Sequence, residues 1–292
     1  MSDLEAFEKL RGRLTGLAYR MLGSRADAED AVQDAFLRWS AADRARVSNA
    51  EAYLVRVVTR LCLDKLKSAQ ARREVYVGPW LPEPVLDADA LSPERHTELA
   101  DDLSFALLLA LDRLSPLERA AFLLHDVFDA PFSDVAMTLD RSEAACRQLA
   151  ARARKAVREQ RPTPAPLQEH ERLLAAFTQA AVSGDLAALK AVLAEDVVLL
   201  SDGGGRKLAA LNPVRGADNI ARFITSIVRK LNAANAETGA QVLTVNGAPA
   251  LMLYLDGALD QVQMIAVENG RIAALYLVRN PDKLASLAAA AR

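Results

Sequence analysis

The sequence is poor in the residues that mark redox, metal or membrane chemistry. Its 292 residues include two cysteines, Cys62 and Cys146, far apart and both on predicted helices. That excludes a disulfide framework and points to a reduced, cytoplasmic protein whose two small thiols are buried. Three histidines, His96, His125 and His170, show no metal-ligand spacing, so neither a metal nor a cofactor is expected. No apolar run is long enough to span a membrane, and Met1-Ser2-Asp3-Leu4-Glu5 is acidic where a secretory signal would be basic. A net charge of −2 excludes a generally basic nucleic-acid binder. The charge is patterned instead: residues 1–166 hold 24 basic and 26 acidic side chains, with the basic ones gathered on two predicted helices, whereas residues 167–292 hold 12 of each. The length favours two or three domains.

The most structured stretch is 114–161. Ser115 can cap a helix, Pro116 suits its first turn, and Glu118 three residues on completes a capping box. Ala120, Ala121, Leu123, Leu124 and Val127 continue an apolar stripe. Pro131-Phe132-Ser133-Asp134 opens a short second helix, Asp140-Arg141 makes a turn, and Ser142 caps a third helix running through Ala145, Leu149, Ala153 and Val157. Two helices joined by so tight a turn are a helix-turn-helix. The last helix carries Arg147, Arg152, Arg154, Lys155, Arg158 and Arg161 against Glu143 and Glu159, which suits a phosphate backbone.

Residues 4–75 read as helix. Phe7, Leu10, Leu14, Leu17, Ala18, Met21 and Leu22 line one face, Gly23 stops the first helix, and Ser24 caps the next. That second helix buries Ala28, Ala31, Val32, Ala35, Phe36 and Trp39 and turns Asp27, Asp30, Gln33 and Asp34 outward. After a small, polar loop at 40–49, a basic helix from about Ala50 to Ala71 carries Arg56, Arg60, Lys65 and Lys67.

Asp27-Ala28-Glu29-Asp30-Ala31-Val32-Gln33-Asp34-Ala35-Phe36 before a basic helix, followed by a separate helix-turn-helix, resembles a bacterial RNA polymerase sigma factor of the extracytoplasmic-function (ECF) group. The resemblance covers roughly residues 4–160. It implies that Asp27, Asp30, Gln33 and Asp34 grip the clamp helices of the β′ subunit of core RNA polymerase. It implies that the loop 40–49, with Arg56, Arg60, Lys65 and Lys67, opens and reads the −10 promoter element, where extruded bases need a pocket and basic walls. Ser142, Arg147, Gln148, Arg152, Arg154 and Lys155 match the recognition helix at the −35 element. Of these, Arg147, Gln148 and Arg152 face bases, while Arg154, Lys155 and the neighbouring Arg158 touch phosphates. Promoter DNA and core polymerase are thus the implied partners.

Residues 76–104 form an acidic, proline-containing linker. Tyr76-Val77-Gly78-Pro79-Trp80-Leu81-Pro82-Glu83-Pro84 is extended, and Asp87, Asp89, Glu94, Glu98, Asp101 and Asp102 follow against Arg95. Trp80 is costly to leave wet and should pack on something. Residues 167–292 change to an α+β pattern. Helices are expected at 167–181, 186–193 and 217–231, strands at 196–201, 239–245, 248–255, 258–268 and 271–279, and Asn269-Gly270 is a hairpin turn. Helix, helix, strand, helix and antiparallel meander resembles the SnoaL-like, NTF2-like cone, whose pocket could take a small-molecule ligand. Asp202-Gly203-Gly204-Gly205-Arg206 and Trp80-Leu81-Pro82-Glu83-Pro84 resemble two motifs of ECF factors that carry such a domain, with Arg206 where the motif usually has lysine. Trp80, Pro82, Glu83, Asp202, Gly203, Gly204, Gly205 and Arg206 are therefore the expected interdomain regulatory set, with Arg206 pairing a linker acid such as Glu83.

The expected organisation is multidomain: two all-α sigma domains at 1–75 and 105–161, the second a helix-turn-helix, then the α+β domain at 167–292. The expected function is transcription initiation, regulated in cis by the last domain. The alternatives are a small-molecule enzyme of the SnoaL type with an N-terminal DNA-binding module, and a repressor that never engages polymerase. The acidic face of 27–34 argues against the repressor. Against the enzyme, His170, Asp256 and Asp260 assemble no acid/base pair, so none of these residues is expected to be catalytic.

Overall fold

A computed structural model describes residues 3–43, 47, 49–73, 76–86, 103–160 and 165–290. The side chains of 69–73 and the linker acids Asp87, Asp89, Glu94, Glu98, Asp101 and Asp102 lie outside the described set, as do Arg95, His96 and Arg161. The chain divides into two compact units, Met1–Glu74 with Asp87–Arg161, and Val75–Leu86 with Pro162–Arg292. The first thus holds both expected sigma segments, and the second takes in the first part of the linker.

In the first unit, α1 (Asp3–Leu22) ends at Gly23, whose φ of +70° lets its N–H reach Tyr19 O at 2.7 Å. Ser24 then caps α2 (Arg25–Ser40) by accepting the Asp27 N–H at 3.3 Å. Phe7, Leu14, Leu17 and Met21 meet Ala28, Ala31, Val32 and Ala35, and α3 (Ala50–Arg73) closes the bundle with Leu54, Val58, Leu61 and Cys62. Each large apolar side chain buried here contributes about 1.5–3 kcal/mol. Burial pushes the Cys62 thiol far up, so it is an inert packing group.

Then come α4 (Phe105–Asp112) and α5 (Pro116–Phe122). The expected capping box is complete: Ser115 accepts the Glu118 N–H while the Glu118 carboxylate accepts the Ser115 N–H at 3.2 Å. The helix expected to run on through Val127 widens into a π-helical turn at Leu123–Val127. The wider turn aims His125 at Ala130 and Asp126 at the last helix. Helix α6 (Phe132–Leu139) ends at Asp140, in the left-handed region at φ +54°, and Ser142 caps α7 (Glu143–Gln160) through the Ala145 N–H.

In the second unit, α8 (Leu167–Ser183) and α9 (Leu186–Val192) precede strand β1 (Leu193–Asp202), the two-residue β2 (Val214–Arg215) and α10 (Ala217–Ala233). Strands β3 (Thr238–Val245), β4 (Ala248–Leu255), β5 (Ala258–Glu268) and β6 (Arg271–Val278) form the expected meander. Its turns, Asn246-Gly247, Asp256-Gly257 and Asn269-Gly270, all have positive φ at both residues, the type I′ geometry. The sheet order is β2-β1-β6-β5-β4-β3, and β1 pairs with β6 in parallel. Leu173, Leu174 and Phe177 of α8 pack with Ile220 and Ile224 of α10 against Leu199, Leu251, Ile265, Leu275 and Leu277. Strand β1 starts at Leu193, three residues before the expected 196, and β2 was not expected. Residues 207–211 are irregular, and the residues after Arg279 form a helix, α11 (Pro281–Ala290), started by Asn280, whose Oδ1 accepts the Asp282 N–H at 3.1 Å.

Candidate polymerase and promoter interfaces

On α2, Asp27, Asp30, Gln33 and Asp34 fall on the side away from Ala28, Ala31, Val32 and Ala35. Asp30, Gln33 and Asp34 are exposed. Lys65 of α3 sits 3.5 Å from both Asp27 and Asp30. At such exposure the pairs are worth little, about 0–1 kcal/mol, and give way readily to a partner.

Arg56, Arg60, Lys65 and Lys67 of α3 separate. Arg60 donates from Nε to Thr138 O and from Nη2 to Met137 O, both at 3.2 Å, and Arg56 Nη2 lies 3.8 Å from Met137 Sδ. Both guanidinium groups thus meet the C-terminal end of α6, where carbonyl groups favour a cation. Lys65 faces the acidic side of α2, and Lys67 pairs with Asp64 in solvent at 3.2 Å. Of the loop 40–49, residues 44–46 and 48 lie outside the described residues, and Asn49 caps α3 through the Ala52 N–H.

On α7, Cys146, Ala150, Ala153 and Val157 face inward, leaving Arg147, Gln148, Arg152, Lys155 and Arg158 along the exposed side. The Ser142 hydroxyl is committed to its cap. Arg152 Nε donates to Glu118 at 2.7 Å and Arg154 Nε to Asp126 at 2.5 Å, so these two also tie α7 to α5 and to the π-helical turn. Hydrogen bonds from Ser115, then from Arg152, hold the Glu118 carboxyl below its usual range. The Lys155 side chain is 78% exposed and lies 3.9 Å from Glu159.

Residues 6–72 match the family model of Sigma-70 region 2, and residues 104–157 match that of Sigma-70, region 4. The ECF RNA polymerase sigma factor SigJ of Mycobacterium tuberculosis is 42% identical over 96% of this chain and 93% of its own. The chain belongs to the ECF RNA polymerase sigma factors. A probable ECF RNA polymerase sigma factor of the same organism, SigI, is 34% identical over 97% of this chain and 95% of its own. The crystal structure of M. tuberculosis SigJ superposes with a TM-score of 0.76 at 38% identity, covering 97% of this chain and 98% of that one.

In this sigma factor residues 80–84 and 202–206 lie in the same, second unit. Asp202, fully buried at the end of β1, accepts from the Tyr76 hydroxyl at 2.6 Å, the Leu81 N–H at 2.9 Å, the Gly204 N–H at 3.0 Å and Lys283 Nζ at 2.7 Å. Lys283 also donates to Leu81 O and lies 4.3 Å from the Trp80 ring centroid, so the half-buried Trp80 is capped by a cation. Val85 exchanges two hydrogen bonds with Asn246, and Leu81, Pro82, Glu83, Pro84 and Val85 are buried. Burial, then the bond to Asp202, push the Tyr76 hydroxyl well up. The glycines fit tight space. A Cβ on Gly203 would stand 2.2 Å from Lys207 O, and one on Gly204, at φ +61°, 2.4 Å from the Asn280 side chain.

One expected pair is absent. Arg206 meets Asp282 of α11 at 3.1 Å in solvent, while Glu83 accepts from Ser286 Oγ at 3.4 Å. The unexpected α11 brings Asp282 to the glycine turn, so Arg206 needs no linker acid. Tyr76, Asn246, Asn280 and Lys283 went unread in the sequence. Asn246-Gly247 and Asn280-Pro281 are legible as a turn and a helix start, but Lys283 carries no local signal.

The acid/base candidates stay apart. His170 is buried on α8, and burial holds its imidazole below the usual value. Asp256, in the β4–β5 turn, accepts the Glu237 N–H at 3.2 Å and so ties that turn to the start of β3. Burial raises the Asp260 carboxyl, but Lys207 at 2.9 Å and Arg279 at 2.7 Å outweigh it and bring it below its usual range. An open apolar groove runs between α8 and β3–β4, lined by Leu174, Val182, Val242 and Leu251 with Glu171 at its rim. Among the described residues no His, Cys, Asp and Glu cluster could hold a metal, and no helix is long and apolar enough to cross a membrane.

Proposed function

We propose that this sigma factor acts in the cytoplasm, binding the β′ clamp helices of core RNA polymerase through Asp27, Asp30, Gln33 and Asp34. It directs the enzyme to promoters with α7 at the −35 element and α3 with the loop 40–49 at the −10 element. The observation that carries this reading is the exposed acidic face of α2 backed by an apolar core. Its lysine partner is shared and weakly held, so a basic surface can replace it. Arg147 and Gln148 stand exposed on the recognition helix and are the base-reading pair, since Arg can bridge guanine and Gln can pair with adenine. Lys155 and Arg158 contact phosphate. Arg56 and Arg60 act at the −10 element once released from Met137 and Thr138.

The α+β unit regulates initiation in cis, without catalysing a reaction, by holding residues 76–86, the segment that follows region 2 in the chain. A small-molecule ligand of this unit would occupy the groove beside α8 and shift the balance between docked and released linker.

Asp30→Lys with Asp34→Lys should abolish co-purification with core polymerase and leave the circular dichroism unchanged. Undiminished co-purification contradicts the assignment of α2. Truncation before Leu167 should change promoter-dependent transcription, and an unchanged yield contradicts regulation in cis.

A further inference from the structure

Phe132, the first residue of α6, has no part in the interfaces above, yet its ring meets both the His125 ring and the Arg147 guanidinium. The His125 ring, on the π-helical turn, lies 3.9 Å from the Phe132 ring, centroid to centroid, at 30°. His125 Nδ1 is itself 2.9 Å from Ala130 O, which fixes its plane. On α7, the Arg147 guanidinium carbon is 5.2 Å from the Phe132 centroid, and Arg147 Nη2 donates to Glu143 Oε2 at 2.6 Å. The cluster therefore joins both helices of the helix-turn-helix and the turn before them.

A guanidinium laid over an aromatic face keeps its N–H groups in its own plane, where they remain able to donate. An exposed arginine without such support samples many rotamers, and each must be given up to present a bidentate edge. Phe132 offers its ring face to the Arg147 guanidinium at 5.2 Å, and Glu143 takes one of its donors, so two contacts restrict the rotamers open to Arg147. The edge so presented matches the paired O6 and N7 acceptors of guanine in the major groove.

We propose that Phe132, backed by His125, is a specificity-determining positioning residue that presents Arg147 edge-on to a guanine of the −35 element. This rests on Arg147 being a base reader. Phe132 itself touches no DNA in this scheme and acts through Arg147.

The test uses the full chain bound to core polymerase and a promoter library randomised across the −35 element, with transcript yield read for each sequence. Arg147→Ala should lower the preference at one position by about tenfold or more. Phe132→Leu keeps Arg147 but removes the ring. It should lower the preference at that same position by about two- to fivefold, leave the other positions in their original ratios, and add nothing to Arg147→Ala. Phe132→Tyr keeps the ring face and should retain the preference. If Phe132→Leu fails to fold, Phe132→Met, also without a ring, gives the same readout. A uniform loss over all −35 sequences, or losses that multiply when Phe132→Leu and Arg147→Ala are combined, overturns the proposal and leaves Arg147 a base reader. If Arg147→Ala changes no positional preference, the reading of Arg147 fails and the proposal with it.

Discussion

Replacing Asp202 by alanine removes the acceptor shared by the Tyr76 hydroxyl, the Leu81 N–H, the Gly204 N–H and Lys283 Nζ. The lysine side chain is only 12% exposed. Breaking a buried ion pair by deleting one partner costs about 3–5 kcal/mol, because the remaining charge stays desolvated. Lys283 keeps Leu81 O and the Trp80 ring, which offsets part of that, so a loss of about 3 kcal/mol is expected. For a unit of this size that corresponds to a fall in Tm of about 10 °C. The sequence has two tryptophans, so urea unfolding in a Trp39→Phe background isolates the emission of Trp80, which should also shift to the red in native buffer as the linker undocks. Asp202→Asn keeps the shape but sets an NH2 group against two of the four donors and leaves Lys283 without its counter-charge, so it should cost as much, about 3 kcal/mol. In a double-mutant cycle, Asp202→Ala and Lys283→Met should couple by about 1 kcal/mol or more. A loss below about 0.5 kcal/mol, with Trp80 emission unmoved, would refute the view that Asp202 anchors the linker.

Gly204→Ala should destabilise the same unit by about 2 kcal/mol, since its Cβ meets Asn280 and the left-handed backbone alone costs an alanine about 1–2 kcal/mol. Urea titration of the variant checks this, and a neutral outcome would mean that the turn opens freely. The His170 imidazole is held below its usual 6.5 by burial, so the unfolded chain takes up the proton first as pH falls. The stability it contributes is therefore present above about pH 6.5 and is lost as pH falls below that. Thermal melts from pH 7.5 to 5 should show this slope, and His170→Phe should flatten it.

What the sequence reveals here is local, and what it hides is distant. Ser24, Ser115 and Ser142 sit at helix starts because a short hydroxyl next to an apolar periodic run has one good use. The meander is legible because strand pairing follows turn chemistry, and Asn269-Gly270 is joined by two more turns of the same kind. The parallel pairing of β1 with β6 joins Leu199 to Leu275, and no local pattern states such a contact. The π-helical turn likewise has no composition of its own, though it decides where His125 and Asp126 point. The acidic face of α2 could be read from its spacing alone, because exposure follows the helical period. The fate of Arg60 could not, since its partners are backbone carbonyls 77 and 78 residues on. Arg206 shows the same limit: charge suggests a linker acid, but its partner Asp282 comes from a helix 76 residues on.

The most direct test of the central claim is run-off transcription with purified core polymerase on promoter-bearing genomic fragments. Adding the full chain should produce discrete transcripts whose upstream sequences share a −35 and a −10 element, and the chain carrying Asp30→Lys and Asp34→Lys should produce none. Transcripts that do not depend on the chain, or that survive that double substitution at full yield, would contradict it.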